Sequence, residues 1–413
     1  MRYFTKYADS ELNRLHEIVD LQWGVLGSHV HLIASACYPF PSVLEALAQP
    51  SFVLPAEGMP GARYLPGSQV MDIVESTGED MVLRAFGSPT EYSATLQPHS
   101  GTQANQMVFN AVLKDSDKVL CLQPRDGGHV SHTVLIGRRN QSIYYGLTND
   151  GTLDYNELHE LAIANSPKLI IVGGSALPRQ IDFRLCGEIA QECGAYLHAD
   201  VSHTATFIAA GLHQSVFPHC DFVTFNTVKN LRGPNGGVLI FRSELEKVVH
   251  RSVFPMTQGG ANETNMLGKF VTFLEWERRD IRRYANEIVR QARCMSSVLE
   301  SDGITLATGG TDCHILLLSL VDNDKSGADW ERTFEEQGVL VNKNLIPNDT
   351  RSPSRTSGIR IGTANLAILN YELQDTMALA GWIGQQLRGE HADNELIPHL
   401  IEKYHKEYPW LRQ

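Results

Sequence analysis

Lys229 stands in the stretch "TVKNLRGPNGGVLIF", between two apolar runs and just ahead of a Gly-Pro turn. Two other stretches carry residues that could work with it. "HADVSH" closes an apolar run with Asp200 and His203, and "HSGTQAN" puts Ser100, Gly101 and Thr102 where a helix should begin. Each has an ordinary explanation alone. A lysine at a strand end is usually solvated, an aspartate there usually caps a turn, and a Ser-Gly pair often caps a structural helix. Together they meet one chemical requirement. The free N–H groups and dipole of a helix start favour a phosphate. A carboxylate pairs with a protonated pyridine nitrogen. A lysine forms a Schiff base and is then freed as a base. This is the equipment that pyridoxal 5'-phosphate needs. Such a lysine must titrate well below the ordinary ~10.4, through desolvation and a nearby cation.

The elements that would position these residues alternate. "DKVLCLQP", "KLIIVGGS", "AYLHADVSH", "DFVTFNTVK" and "GGVLIFR" read as strands, with amphipathic helices such as "YNELHELAIANS" and "RLCGEIAQECG" between them. That alternation predicts an α/β domain with a mostly parallel central sheet, whose ligand crevice lies at the C-terminal strand ends. Residues 9–25 read as a helix with apolar Leu12, Leu15, Ile18, Val19 and Trp23 at helical spacing. Residues 26–70 are rich in Gly and Pro and read as a long, irregular loop. A long helix is expected over 280–300, followed by strands "HILLLSL", "VLVNKN" and "GIRIGT" in a smaller α+β domain. The expected division is 1–85 as an N-terminal helix and active-site loop, 86–280 as the large cofactor domain, and 281–413 as the small domain.

Bulk properties narrow the classes. The 413 residues are 42% hydrophobic with a formal charge of −12, and no basic run is available to neutralise nucleic-acid phosphates. No segment approaches the roughly 18 apolar residues needed to span a membrane, and the first residues lack the apolar run of a signal peptide. Seven cysteines form no CxxC pair. The expectation is a cytoplasmic, reduced protein without structural disulfides or a metal site.

Eight ordered stretches carry a closer likeness: "LIAS" (32–35), "AEG-PG-RY" (56–64), "QPHSGTQAN" (97–105), "GGHVSH" (127–132), "AYLHADVSH" (195–203), "TVKNLRGPNGG" (227–237), "VNKNLIPND" (341–349) and "SGIRIGT" (357–363). The chain resembles the serine hydroxymethyltransferase family over nearly its whole length. The resemblance implies a pyridoxal-phosphate enzyme of the aspartate-aminotransferase fold, a homodimer with sites at the subunit boundary, acting on a small amino acid. By position it implies that Lys229 carries the Schiff base, Asp200 pairs with the ring nitrogen, His129 stacks on the ring and His203 sits by its hydroxyl. Ser100, Gly101 and Thr102 would hold the phosphate with Gly259 and Gly260 of the partner subunit, and Ser175 would also touch the cofactor. Ser35 and Arg360 would hold the substrate carboxylate, a task suited to Arg's bidentate fork, and Glu57 would transfer protons.

The departures from the family pattern bear on function. Two tyrosines of the pattern are Pro55 and Leu65 here, the histidine before the lysine is Val228, and the arginine of Gly-Pro-Arg-Gly-Gly is Asn235. Pro124 and Val130 replace leucines of the folate pocket, and Ser354 replaces a phenylalanine. Losses concentrated in the tyrosine pair and folate wall imply a changed reaction. Similar enzymes of lincosamide antibiotic biosynthesis act on an S-glycosylated cysteine. One kind eliminates the thiol; its counterpart decarboxylates and oxidatively deaminates to an aldehyde. The expected function is therefore a pyridoxal-phosphate lyase on a cysteine S-conjugate. The alternatives are serine hydroxymethyltransferase itself, a threonine transaldolase-type enzyme, and an inactive cofactor-binding homologue.

Overall fold

Five apolar runs lie side by side as parallel strands. A computed structural model describes residues 10–405. Its main sheet has seven strands in the order Tyr92–Thr95, Gly237–Arg242, Phe222–Asn226, Tyr196–Asp200, Leu169–Val172, Lys118–Leu122 and Gln141–Tyr145. Only Gly237–Arg242 runs against its neighbours. The strands are almost continuously buried, as expected where helices cover both faces. Alternate residues feed two separate cores. Leu120, Ile170, Val172, Leu197, Val223 and Ile240 face one, while Val119, Leu169, Ile171, Phe222, Leu239 and Phe241 face the other.

A second, antiparallel sheet joins Ile315–Ser319, Gly358–Gly362 and Asn342–Asn344. The helices Ile281–Ser301 and Leu373–Leu387 supply Ala292, Met295, Leu379 and Ile383 to its core. The architecture is the expected α/β fold with a smaller C-terminal α+β unit. The first 85 residues are divided between the C-terminal core and the larger core of the main sheet. Val30–His31 pairs in parallel with Val339–Leu340, so Val30, Leu32 and Tyr38 join the C-terminal core. Phe40, Val43 and Met71 join the large one.

The stretch read as irregular is more ordered than its composition implies. It contains the helix Pro41–Leu47 and a small hairpin, Gly58–Met59 with Ala62–Arg63. Arg63 organises it from inside: its guanidinium reaches Asp72 at 2.7 Å and Glu75 at 2.5 Å, and it donates to the Gly58 carbonyl at 2.6 Å. Gly58 has φ +91, which only glycine adopts cheaply. In the helix Ser10–Ser28, Ile18 and Val19 are exposed, as are Leu21 and Val25, so this face is uncovered within one chain. The side chains of Leu12 and Leu15 lie outside the described residues. No helix among the described residues is long and apolar enough to cross a membrane.

Candidate active site

Asp200 is the last residue of the strand Tyr196–Asp200 and is buried. Its Oδ2 accepts from Asn105 Nδ2 at 2.8 Å and from His132 Nε2 at 3.0 Å. Its Oδ1 accepts from the Ser202 backbone at 3.1 Å. Burial alone would raise this carboxyl. The bond and charge of His132, with His129 and Ser202, outweigh burial and hold it well below the usual carboxylate range. Asn105 is braced by Thr224, which donates to its Oδ1 at 2.6 Å. Asn105 also donates to Ser131, and Ser131 Oγ lies 2.6 Å from His129 Nδ1. Burial lowers His129, against the pull of Asp200.

The helix Gly101–Val112 starts beside this carboxylate. Ser100 caps it by accepting from Gln103 N, while the N–H groups of Gly101 and Thr102 have no acceptor among the described residues. A Cβ at Gly101 would come within 3.4 Å of Ser202 Oγ, and one at Gly237 would come within 2.3 Å of the Ser100 carbonyl oxygen. Gly237→Ala must therefore push the Ser100–Thr102 turn out of place. We expect at least a tenfold weaker affinity for pyridoxal phosphate, measured by fluorescence titration of the apo-protein, with a far smaller change for phosphate-free pyridoxal.

Lys229 follows the strand Phe222–Asn226 and is half-buried. Burial pulls its ammonium down to about 8; Asp200 opposes this and Arg360 adds to it. The chain turns sharply after it, with Arg232 at φ +63 donating its N–H to the Lys229 carbonyl at 2.9 Å. Arg360 lies in the strand Gly358–Gly362 and is buried. Its Nε donates to Asn342 at 3.1 Å, and a terminal nitrogen donates to the Ser175 carbonyl. Burial lowers it to about 10. Ser35 follows Ala34, which packs so closely on Gly362 that a Cβ there would meet Ala34 Cα at 2.3 Å. The Ser35 segment thus runs beside the strand carrying Arg360. His203 is buried, with its Nδ1 3.3 Å from His314 Nε2.

Pro55 and Glu57 lie against Gly259 and Gly260. A Cβ on Gly260 would meet Glu57 Cγ at 3.6 Å and Pro55 Cβ at 4.0 Å, and one on Gly259 would meet Glu57 Oε1 at 3.9 Å. Leu65 is 38% exposed and neighbouring Tyr64 72%. Among the described residues, no hydrogen bond joins Pro55, Glu57 or Leu65 to Lys229, Asp200 or Arg360.

The serine hydroxymethyltransferase family profile matches residues 9–383. The chain belongs to this family. It is 38% identical over 388 residues to a serine hydroxymethyltransferase of Halorhodospira halophila, covering 92% of each chain. It is 39% identical over 371 residues to that of Wolinella succinogenes, covering 89% and 88%. Serine hydroxymethyltransferases are fold-type I enzymes that use pyridoxal 5'-phosphate.

The residues present fit that cofactor. A carboxylate offers about four lone-pair sites and Asp200 receives three donors, which leaves room for a protonated ring nitrogen. The unpaired N–H groups at Gly101 and Thr102 suit a phosphate. His129, His132 and Asp200 also place ligand atoms within 4.8 Å of one another. Three hydrogen bonds already engage this carboxylate, one of them from His132 itself, so the set is better suited to a cationic ring than to a metal. At the positions that depart from the family, Val228 puts no imidazole beside Lys229. The Asn235 carbonyl accepts from Asn265 at 2.7 Å. Val130 is exposed, and the Ser354 hydroxyl lies 2.9 Å from that of Ser352.

Several working residues carry no signal of their own in the sequence. Asn105 and His132 lay inside the quoted motifs without an assigned role. Lys269 belongs to no motif. Its buried ammonium donates to the carbonyls of Leu96, Pro98 and Gly237 at 2.6, 2.7 and 2.9 Å, behind the Ser100 turn. Burial pushes it down to about 7 and Glu75 pulls it back. Three carbonyl acceptors match the three protons of the charged form. Its place between Met266 and Phe273 on a buried helical face was the available clue.

Proposed function

We propose that this enzyme cleaves an α-amino acid with a bulky substituent beyond Cβ, a cysteine S-conjugate of a sugar, as in lincosamide antibiotic biosynthesis. One observation carries the reading. Lys229, Asp200 and Arg360 are retained and assembled, while both tyrosine positions of the family's substrate side are Pro55 and Leu65. The amino-acid end binds as in the family, and the space beyond Cβ is enlarged. Pro55 and Leu65 are exposed within one chain, as a homodimer in which each copy completes the other's site requires.

The bound cofactor supplies an electron sink at Cα. The chain's residues do the rest. Arg360 and Ser35 hold the carboxylate and so orient the bonds at Cα. Lys229, whose burial brings its ammonium down to about 8 and so within reach of the neutral form, takes the Cα proton. The Cβ–S bond breaks with its electron pair on sulfur, and Glu57 or His203 returns a proton there. Hydrolysis then yields pyruvate and ammonia beside the free thiol. Elimination is favoured over the oxidative counterpart because its base is already in place, whereas decarboxylation to an aldehyde consumes dioxygen. A second reading, hydroxymethyl transfer between serine and a folate, is favoured by the names of the relatives above.

Incubation of the holoenzyme with an S-glycosyl cysteine, analysed by mass, tests the proposal. Thiol and pyruvate are expected; aldehyde, carbon dioxide and hydrogen peroxide would assign the oxidative route. Leu65→Tyr should raise KM for the conjugate about tenfold, equivalent to ~1.4 kcal/mol, and leave free cysteine nearly unchanged. Tetrahydrofolate should show no saturable binding, since the folate wall has lost large apolar contacts. Folate-dependent release of glycine from serine at ordinary rates would overturn the proposal in favour of the second reading.

A further inference from the structure

Four segments from distant parts of the chain meet at one buried imidazole, His314, which none of the roles above uses. Its Nε2 lies 3.1 Å from the Ala34 carbonyl oxygen. A carbonyl only accepts, so Nε2 carries the proton. Its Nδ1 lies 3.0 Å from Asn230 Nδ2. That amide nitrogen also donates to the His203 carbonyl at 3.1 Å. The opposite amide orientation would set two oxygens against each other, so Asn230 donates to His314 and Nδ1 accepts. Both bonds specify one neutral tautomer of His314. Burial favours the neutral ring, lowering His314 to about 3.

The same Nε2–H is 3.3 Å from His203 Nδ1, and the two rings stack at 5.4 Å with only 13° between planes. With the proton on His314, His203 Nδ1 must accept, so the proton of His203 sits on Nε2. That Nε2 has no partner among the described residues. Phe207 also stacks on His314, at 5.8 Å between ring centroids. Asn230 directly follows Lys229, and Ala34 directly precedes Ser35. The His314 carbonyl also accepts from Thr363 N at 3.1 Å, at the end of the strand that carries Arg360.

We propose that His314 is a positioning residue that locks His203 as the Nε2–H tautomer, so that His203 offers a neutral donor to the cofactor's ring hydroxyl. By the same contacts it ties the Lys229 turn to the Ser35 segment. The inference rests on the family-level placement of His203 beside the cofactor, not on the substrate proposed above.

The test is the tautomer itself, read by long-range ¹H–¹⁵N correlation on the histidine-labelled apo-protein. The His203 signal is assigned by its loss in His203→Asn. Wild type should show His203 protonated at Nε2. His314→Phe should convert it to a mixture or to Nδ1–H. His314→Gln keeps an amide donor toward Ala34 and His203 and should restore Nε2–H. In the holoenzyme, His314→Phe should lower kcat roughly tenfold or more with KM changed less than about twofold, and Gln should recover most of the loss. If Phe prevents folding, His314→Asn, which is too short to reach His203, replaces it. His203 found as Nδ1–H in wild type, or unchanged as Nε2–H in both His314→Phe and His314→Asn, overturns the proposal. Because the tautomer is read without substrate, a wrong substrate assignment cannot mimic either result.

Discussion

Lys229→Ala removes the visible absorption band that the cofactor shows when joined to a protein amine, and lowers turnover by roughly a thousandfold or more. The expectation follows from placement. Lys229 emerges from the strand Phe222–Asn226, with Asp200 at the end of the adjacent strand and the Ser100–Thr102 turn nearby. Lys269, the buried lysine behind the Ser100 turn, cannot substitute, since it spends its three protons on backbone carbonyls. The variant should still bind pyridoxal phosphate, released by dialysis and unaffected by borohydride. A borohydride-reducible adduct that survives in the variant would place the attachment elsewhere. The lowered lysine gives a second measurement. Only the neutral amine reacts with a carbonyl, so reductive methylation of Lys229 in the apo-protein should rise with pH about a midpoint near 8. An ordinary lysine would give ~10.4. A midpoint above about 10 would mean that burial does not act as argued.

Asp200→Asn is the second large effect. The amide keeps the shape of the carboxylate but cannot hold a proton on the ring nitrogen, so turnover should fall roughly a hundredfold or more. The variant also has a pH signature without cofactor. The folded Asp200 carboxyl is held below its ordinary value, so its stabilising contribution is complete above about pH 3.9 and fades as pH falls toward the folded value. The wild-type apo-protein should therefore lose stability more steeply than Asp200→Asn on acidification below about pH 4, measured as denaturant midpoints. Parallel curves would show that His132 and Ser202 do not stabilise the ionised form.

Much of this was legible in the order of residues because the signals are local. Apolar runs of four to six residues ending in Asp200 and just before Lys229 specify parallel strands and put both side chains at the same edge of the sheet. The Ser100–Gly101–Thr102 cap is local as well, because a helix start needs only its own first turn to present free N–H groups. The departures at Pro55 and Leu65 were readable for the same reason, since they sit inside short motifs.

What only the tertiary structure decided are the contacts between segments far apart in sequence. His203 and His314 are separated by 111 residues, Asn230 and His314 by 84, and Lys269 from its Leu96 acceptor by 173. Periodicity says which face of an element is buried but not which element covers it. Lys269 and His314 therefore carry no local signal that marks their roles. The looped stretch read as irregular for a related reason. Its order comes from one buried guanidinium, Arg63, whose Asp72 and Glu75 partners lie on the next helix. A charge enters the interior only when packing supplies its partners. The residues of this chain thus specify what chemistry is present. The meeting of its two cores specifies which protons are held where.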